Sequence, residues 1–166
     1  MKTVKANIWD LSGVICIPTN LGWNKDGRNI MGAGLARQAA LLYPDLPSLY
    51  GRFVLDCSMG KDRGTYAPHI FQFTGHNRWL LCVATKELNR KEPWMSWNQK
   101  SSLSLVRESI VKLADYCRDL LGPVLVVPFG CGCGGLSEDD VLPLMDEHLS
   151  SQTLIDGSLK FTLVKR

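Results

Sequence analysis

Asn29-Ile30-Met31-Gly32-Ala33-Gly34-Leu35-Ala36 and Pro128-Phe129-Gly130-Cys131-Gly132-Cys133-Gly134-Gly135-Leu136 are two glycine-rich turns, each leading into a segment of helical character. Glycine lets the backbone take positive φ and come close to a ligand, so successive N–H groups can converge on phosphate oxygens without a cationic side chain. Either turn alone reads equally well as tight geometry, but the pair points to a diphosphate clamp. The helices after the two turns differ. Ser137 with Asp140 has the form of a capping box, and Glu138 and Asp139 add negative charge where the helix dipole favours it. An anion at the second turn is therefore expected at the amides of Gly130 to Gly135 rather than at the helix end. Gly32-Ala33-Gly34 opens a helix with no acidic residue in its first turn, leaving free N–H groups and an uncompensated positive end.

Other chemistries fit these residues less well. Arg37 stands where a dinucleotide fingerprint wants its third small residue, and no acidic residue comes at the customary distance, which argues against a Rossmann dehydrogenase. Neither turn carries Gly-Lys-Ser/Thr, which argues against P-loop hydrolysis of a nucleoside triphosphate. Cys131 and Cys133 are separated by a single glycine, and the histidines His69, His76 and His148 form no paired ligand motif. No metal site and no cofactor are expected.

The elements that must carry these turns alternate between strand and helix. Thr3 to Trp9 and Val14 to Pro18 read as short strands, and the turn formers Asp10, Ser12 and Gly13 between them predict that the two pair. After the first glycine turn, Leu35, Ala36, Ala39, Leu42 and Tyr43 recur at helical spacing until Pro44, and Leu46 to Asp56 reads as a second helix. Strands return at His69 to Thr74 and Trp79 to Thr85. Ser101 to Leu121 is the longest helical pattern, with Leu103, Val106, Ile110, Leu113, Ala114, Cys117, Leu120 and Leu121 on one apolar stripe. A buried-type strand at Val124 to Val127, a helix at Ser137 to Leu149 and a strand at Lys160 to Val164 complete the order β, β, α, α, β, β, α, β, α, β. This alternation predicts a three-layer α/β/α domain with a mixed central sheet and a ligand site beyond the carboxyl ends of the strands.

With 166 residues, 45% hydrophobic and 21% charged, the chain suits one domain spanning residues 1–166. A net charge of +3 permits an anionic ligand but lacks the dense basic stripe that would demand nucleic acid. The six cysteines lie mostly within apolar runs, with no secretory segment before them, so free thiols and a cytoplasmic setting are expected. No run approaches a membrane span, and a monomer without membrane attachment is expected.

The ordered set Ala6-Asn7-Ile8-Trp9-Asp10-Leu11, Pro18-Thr19-Asn20, Ile30 to Ala36 with Tyr43-Pro44, and Pro128 to Gly132 with Gly135-Leu136 resembles a macro domain over nearly the whole chain. The resemblance implies an ADP-ribose pocket in which the turn at Met31, Gly32, Ala33 and Gly34 and the loop Gly130, Cys131, Gly132, Cys133, Gly134, Gly135, Leu136 enclose the diphosphate and distal ribose. In that family an aspartate after the first strand receives the adenine amino group. Asn7 holds the matching position and offers an uncharged acceptor, with Asp10 as the nearby alternative. Asn20, Asn24 and Asn29 are ribose partners by resemblance, or turn formers. Phe129 lines the distal ribose or fills the sheet edge.

Thr85-Lys86 resembles the lysine-dependent branch of the family, which releases ADP-ribose from protein carboxylates or nucleic-acid bases. The resemblance gives Lys86 the role of nucleophile on the opened distal ribose, and places Gly134 where the branch has an aspartate that assists release. Glu138, Asp139 or Asp140 is the alternative source of a carboxylate, and Gly134→Asp is expected to speed release if the loop admits a side chain. Trp94 and Trp97, among Arg90 and Lys91, either stack a base or pin their loop to the body. Two functions are compatible with the resemblance: an ADP-ribosyl glycohydrolase acting on a modified protein or nucleic acid, or a reader that binds ADP-ribose without turnover.

Overall fold

Alternate residues of the central strands enter two different cores, and this is what makes the sheet a middle layer. The computed structural model describes residues 1–59, 70–75 and 78–165. Its strands are β1 (Lys2–Lys5), β2 (Val14–Asn20), β3 (Phe71–Gly75), β4 (Arg78–Lys86), β5 (Val124–Val126) and β6 (Phe161–Lys165). Its helices are α1 (Gly34–Leu42), α2 (Leu46–Met59), α3 (Leu103–Tyr116) and α4 (Glu138–Leu149). Ile15 and Ile17 of β2 and Leu80, Cys82 and Ala84 of β4 pack with Ala39, Leu46, Tyr50 and Val54 of α1 and α2. Cys16, Leu81 and Val83, one residue out of phase, pack with Val106, Ile110 and Leu113 of α3 and Val141, Met145 and Leu149 of α4. A period of two in the strands thus meets a period of 3.6 in the helices on both faces.

The sheet runs β1-β6-β5-β2-β4-β3. Every neighbouring pair is parallel except β3 and β4. The expected α/β/α architecture, mixed sheet and element order are those observed. The expected pairing of the first two strands is corrected. Both edges of β2 are taken, by β4 and β5, so β1 pairs with β6 instead, Lys2 opposite Thr162. The chain also leaves the ladder early: β1 ends at Lys5, and Ile8–Asp10 form a 3-10 turn whose N-cap, Asn7, accepts a hydrogen bond from the Trp9 N–H at 3.4 Å. An asparagine side chain that bonds the backbone two residues on competes with strand pairing in this way. Of the expected strand at His69 to Thr74, His69 lies outside the described residues, as does His76.

Two helix ends depart from the simplest capping pattern, and a third is capped by a lysine. The helical pattern expected over Ser101 to Leu121 is corrected to Leu103–Tyr116, helix α3: Ser102 is the N-cap and accepts from the Leu105 N–H at 3.3 Å. At its other end the buried Lys160 ammonium donates to the carbonyls of Cys117 and Arg118, at 2.8 and 2.7 Å. Helix α4 is capped by Ser137, but the bond comes from the Asp139 N–H at 3.1 Å rather than from Asp140.

Strands β2 and β5 are neighbours, yet the chain leaves β2 for α1 on one face and β5 for α4 on the other. Their carboxyl ends define a topological switch point, where connections diverge and leave a crevice.

Candidate functional site

A cavity of about 570 Å³ opens at this switch point, within the usual range for a small-ligand site. The residues at the carboxyl ends of five parallel strands succeed one another along it: Asn7 beyond β1, Lys165 of β6, Pro128 beyond β5, Asn20 of β2 and Lys86 of β4. Four interstrand steps of about 4.8 Å put roughly 19 Å between its ends. The two glycine turns, which come after β2 and β5, occupy the middle.

The first turn presents a bare helix end. Ala33 is the N-cap of α1 and makes no side-chain cap bond, and no acidic residue stands in the first turn. Gly34, Leu35 and Ala36, whose N–H groups have no intrahelical acceptor, line the cavity with Met31, Gly32 and Ala33. Gly34 has φ +57°, where a side chain is rarely accommodated. The turn is held from behind: Asn20 Nδ2 donates to the Ile30 carbonyl at 2.9 Å, and Asn29 Nδ2 donates to the carbonyls of Asn20 and Gly22 at 2.8 and 2.7 Å. Asn20 lines the cavity with its amide already engaged. Asn29 and Asn24 lie outside the lining, and Asn24 takes the turn-forming alternative by accepting from the N–H groups of Asp26 and Arg28.

The second turn is an amide loop closed on itself by the Leu136 N–H to the Gly130 carbonyl at 3.0 Å and the Gly135 N–H to the Gly132 carbonyl at 3.1 Å. Among the described residues the N–H groups of Gly132, Cys133 and Gly134 have no backbone acceptor. A Cβ at Gly132 would meet nothing within 4 Å, so this side of the loop is open. Gly134 is the opposite case. A Cβ there would lie 2.1 Å from Ser101 Oγ and 2.3 Å from the Gly130 carbonyl oxygen, so the loop admits no side chain at 134 and the expected benefit of an aspartate there is withdrawn.

Lys86 sits where β4 meets the cavity. Its Nζ donates to the carbonyls of Trp97, at 2.7 Å, and Cys133, at 3.3 Å, which ties the strand to both the 3-10 helix Pro93–Asn98 and the glycine loop. Burial lowers its pKa below the ordinary lysine value, partly opposed by the nearby Cys133 thiol. Among the described residues, the only carboxylate in the lining is Glu138, which accepts from Lys165 Nζ at the β6 end, far from Lys86 in strand order.

Solved structures share this arrangement of elements. The fold matches the macrodomain of Thermus aquaticus DarG with a TM-score of 0.71 at 20% identity, over 99% of this chain and 97% of that one. The macrodomain of Mycobacterium tuberculosis DarG matches with a TM-score of 0.73 at 16% identity over the same shares. The chain has the macrodomain fold. It also matches Thermosipho africanus DarTG, solved in complex with ADP-ribose, with a TM-score of 0.66 at 19% identity, over 92% of this chain and 39% of that one. No family model matches the sequence, and no curated protein does.

On this macrodomain frame the cavity brings together Asn7, Asn20, Met31, Gly32, Ala33, Gly34, Lys86, Gly130, Cys131, Gly132, Cys133, Gly134 and Leu136. Three expected site residues lie outside it. Asp10 ends the 3-10 turn away from the lining, Gly135 sits at φ +75° on the bend of its loop, and Phe129 is fully buried in the core with α3 and α4 beyond the inner strand β5, so it neither lines the cavity nor fills a sheet edge. Trp97 lines the cavity and Trp94 does not, although both are exposed. Sequence reasoning missed Ser101, Thr85 and Lys165 in the lining. Thr85 and Lys165 belong to the ends of strands that form the site, a signal present in the sequence; Ser101 carries none. Among the described residues no group of three His, Cys, Asp or Glu side chains is placed to hold a metal ion, the six cysteines are free thiols, and no helix is long and apolar enough to cross a membrane.

Proposed function

We propose that the cavity binds ADP-ribose and that Lys86 releases it from a modified protein or nucleic acid, with residues 1–166 acting as one unit. The observation that carries the reading is the order of chemistry along the crevice. Backbone amides and a bare helix end occupy the middle, an amine stands at one end, and an amide acceptor, Asn7, stands at the other. A diphosphate joining a base to a sugar has the same order. Helix-end and loop amides bind its oxygens without a counter-cation.

At the Lys86 end the neutral amine adds to C1 of the opened distal ribose. The bond from C1 to the acceptor breaks, the acceptor leaves with a proton, and water hydrolyses the resulting imine to free ADP-ribose and the amine. Desolvation of Lys86 favours its neutral form. A second reading, a reader without turnover, is favoured by one observation: among the described residues no carboxylate lines the cavity at the Lys86 end to hand the departing acceptor its proton. Incubating the protein with ADP-ribosylated protein and ADP-ribosylated DNA, with time courses read by mass spectrometry, separates the two. Release selects the hydrolase, and binding of ADP-ribose without release selects the reader.

A further inference from the structure

Lys86 reaches the glycine loop from a strand position that plain alternation would give to the other face. Along β4, Leu80, Cys82 and Ala84 pack toward α1 and α2, while Leu81 and Val83 pack toward α3 and α4. A strict period of two would put Lys86 in phase with Ala84, on the α1 and α2 side. The pairing with β2 breaks that phase. Thr19 lies opposite Ala84 and Asn20 lies opposite Lys86, so Thr85 is an extra residue, a β-bulge immediately before the lysine. The slip of one residue brings Lys86 to the side of the loop that leads into α4, where its Nζ meets the Cys133 carbonyl. Thr85 is 3% exposed, and its hydroxyl donates to the Thr19 carbonyl on the neighbouring strand at 3.2 Å. Its own carbonyl accepts from the Ser102 N–H at 3.1 Å, which ties the bulge to the start of α3. Thr19 is held in turn: its hydroxyl lies 2.8 Å from the Tyr50 hydroxyl of α2 and 3.2 Å from the Val83 carbonyl.

We infer that Thr85 is a positioning residue: the bond from its hydroxyl to the Thr19 carbonyl holds the bulge that aims Lys86 at the glycine loop. The inference rests on the reading of Lys86 as the amine that releases ADP-ribose, and adds to it the residue that sets the amine's place. Thr85 acts through Lys86 and not on the ligand. A bulge leaves one residue out of the ladder, so the backbone around it has to be bonded in another way. The side chain of the unpaired residue supplies one such bond and the Ser102 N–H another. Valine would suit a buried strand as well as threonine does, so a threonine here marks the use of its hydroxyl.

The test compares three variants. Thr85→Val keeps the shape and removes the hydroxyl, Thr85→Ser keeps the hydroxyl, and Tyr50→Phe removes a buried hydroxyl from the same chain of bonds without touching the bulge. Thr85→Ala stands in if the valine variant does not fold. The place of Lys86 is read without turnover, from the pH titration of its 13C-labelled ε-carbon by NMR, with the resonance assigned by its absence from Lys86→Arg. In the unmodified protein the midpoint is expected below that of exposed lysines, because the amine is partly buried, an effect the Cys133 thiol partly opposes. Thr85→Val is expected to raise it by about half a pH unit or more toward the exposed lysines, and Thr85→Ser and Tyr50→Phe to leave it in place. In single-turnover release of ADP-ribose, Thr85→Val is expected to be slower by about tenfold or more, with affinity for free ADP-ribose changed by less than about twofold, and Thr85→Ser to stay within about threefold. An unchanged Lys86 midpoint in Thr85→Val would overturn the inference. An equal rise in Thr85→Ser or Tyr50→Phe would overturn it too, by making Thr85 one prop of the core among others. If the unmodified protein releases nothing, the hydrolase reading fails by itself, and the titration still decides whether Thr85 places Lys86.

Discussion

The ammonium of Lys86 and the backbone carbonyl of Cys133 lie 3.3 Å apart, so the end of one central strand and the loop after another are joined by a single side chain. The bond gives Lys86 a structural use besides any chemical one. The two uses respond differently to substitution.

Lys86→Ala is expected to abolish release of ADP-ribose while changing affinity for the free ligand by less than about threefold, because the diphosphate is held by amides. Lys86→Arg keeps donors for the Trp97 and Cys133 carbonyls but forms no imine, and is expected to be equally inactive. Borohydride added during turnover should fix an adduct on Lys86, located by peptide mass spectrometry. An adduct elsewhere, or turnover by the arginine variant, would remove Lys86 from the chemistry.

The rate should also depend on pH with a definite sign. Burial lowers the Lys86 pKa below the ordinary 10.5, and the reactive form is the neutral amine, so release is expected to rise with pH toward a plateau whose midpoint lies below that value. A single-turnover pH profile that falls through the alkaline range would contradict a lysine nucleophile.

Gly132 and Gly134 are two residues apart and are expected to fail in opposite ways. Gly132→Glu projects into open space, so it should fold normally and lose ADP-ribose affinity by more than about 100-fold through bulk and charge. Gly134→Ala, whose Cβ meets Ser101 Oγ and the Gly130 carbonyl, should lower stability by about 1–3 kcal/mol in urea unfolding. Retained affinity in the first variant would put the ligand elsewhere.

Asn7 tests the far end. Its side-chain oxygen already accepts from the Trp9 N–H at a long 3.4 Å and has capacity for a second donor. Asn7→Asp keeps the cap and adds charge, so ADP-ribose affinity is expected to hold or improve, whereas Asn7→Ala is expected to lose about fivefold or more. The hypoxanthine analogue of ADP-ribose, which lacks the amino group, should bind more weakly than ADP-ribose. Equal affinities by calorimetry would take adenine away from Asn7.

Lys160→Met is a control remote from the cavity. Removing the ammonium takes the lysine donor from the Arg118 carbonyl and leaves the Cys117 carbonyl with the Leu120 N–H alone, and a loss of about 1–3 kcal/mol in urea unfolding is expected. ADP-ribose affinity should not change. A stability loss under about 0.5 kcal/mol would mean that water replaces the cap.

The element order was legible because short apolar runs and helical spacing set strands and helices apart, but the one-residue offset between Ile15 and Cys16 that feeds two cores lies in a continuous apolar run and emerges only in the structure. Which strands pair was less so. A turn between two strands suggests a hairpin, but the ladder positions beside β2 belong to β4 and β5, whose claim depends on packing far along the chain. The glycine turns were legible as backbone that can approach a ligand. Why Gly134 is glycine was not, since the reason is Ser101, distant in the chain and adjacent only in the fold. Ser101 was hidden for a similar reason: a serine pair before an apolar stripe reads as a helix start, and only the cap at Ser102 reveals that its neighbour is left over.

Among the described residues strand β1 has a single neighbour, and that neighbour is β6, about 155 residues on. During synthesis, a ribosome that has released β2 to β5 has delivered both the first glycine turn and Lys86, yet the sheet edge that carries Asn7 has nothing to dock on. Contacts of such wide sequence separation form late, because the intervening loop must be closed first. A nascent chain stalled after Val126 should therefore present the amine and half of the anion cradle with no finished base end, and nucleotide recognition should switch on only when Phe161–Lys165 emerge and capture the N-terminal strand.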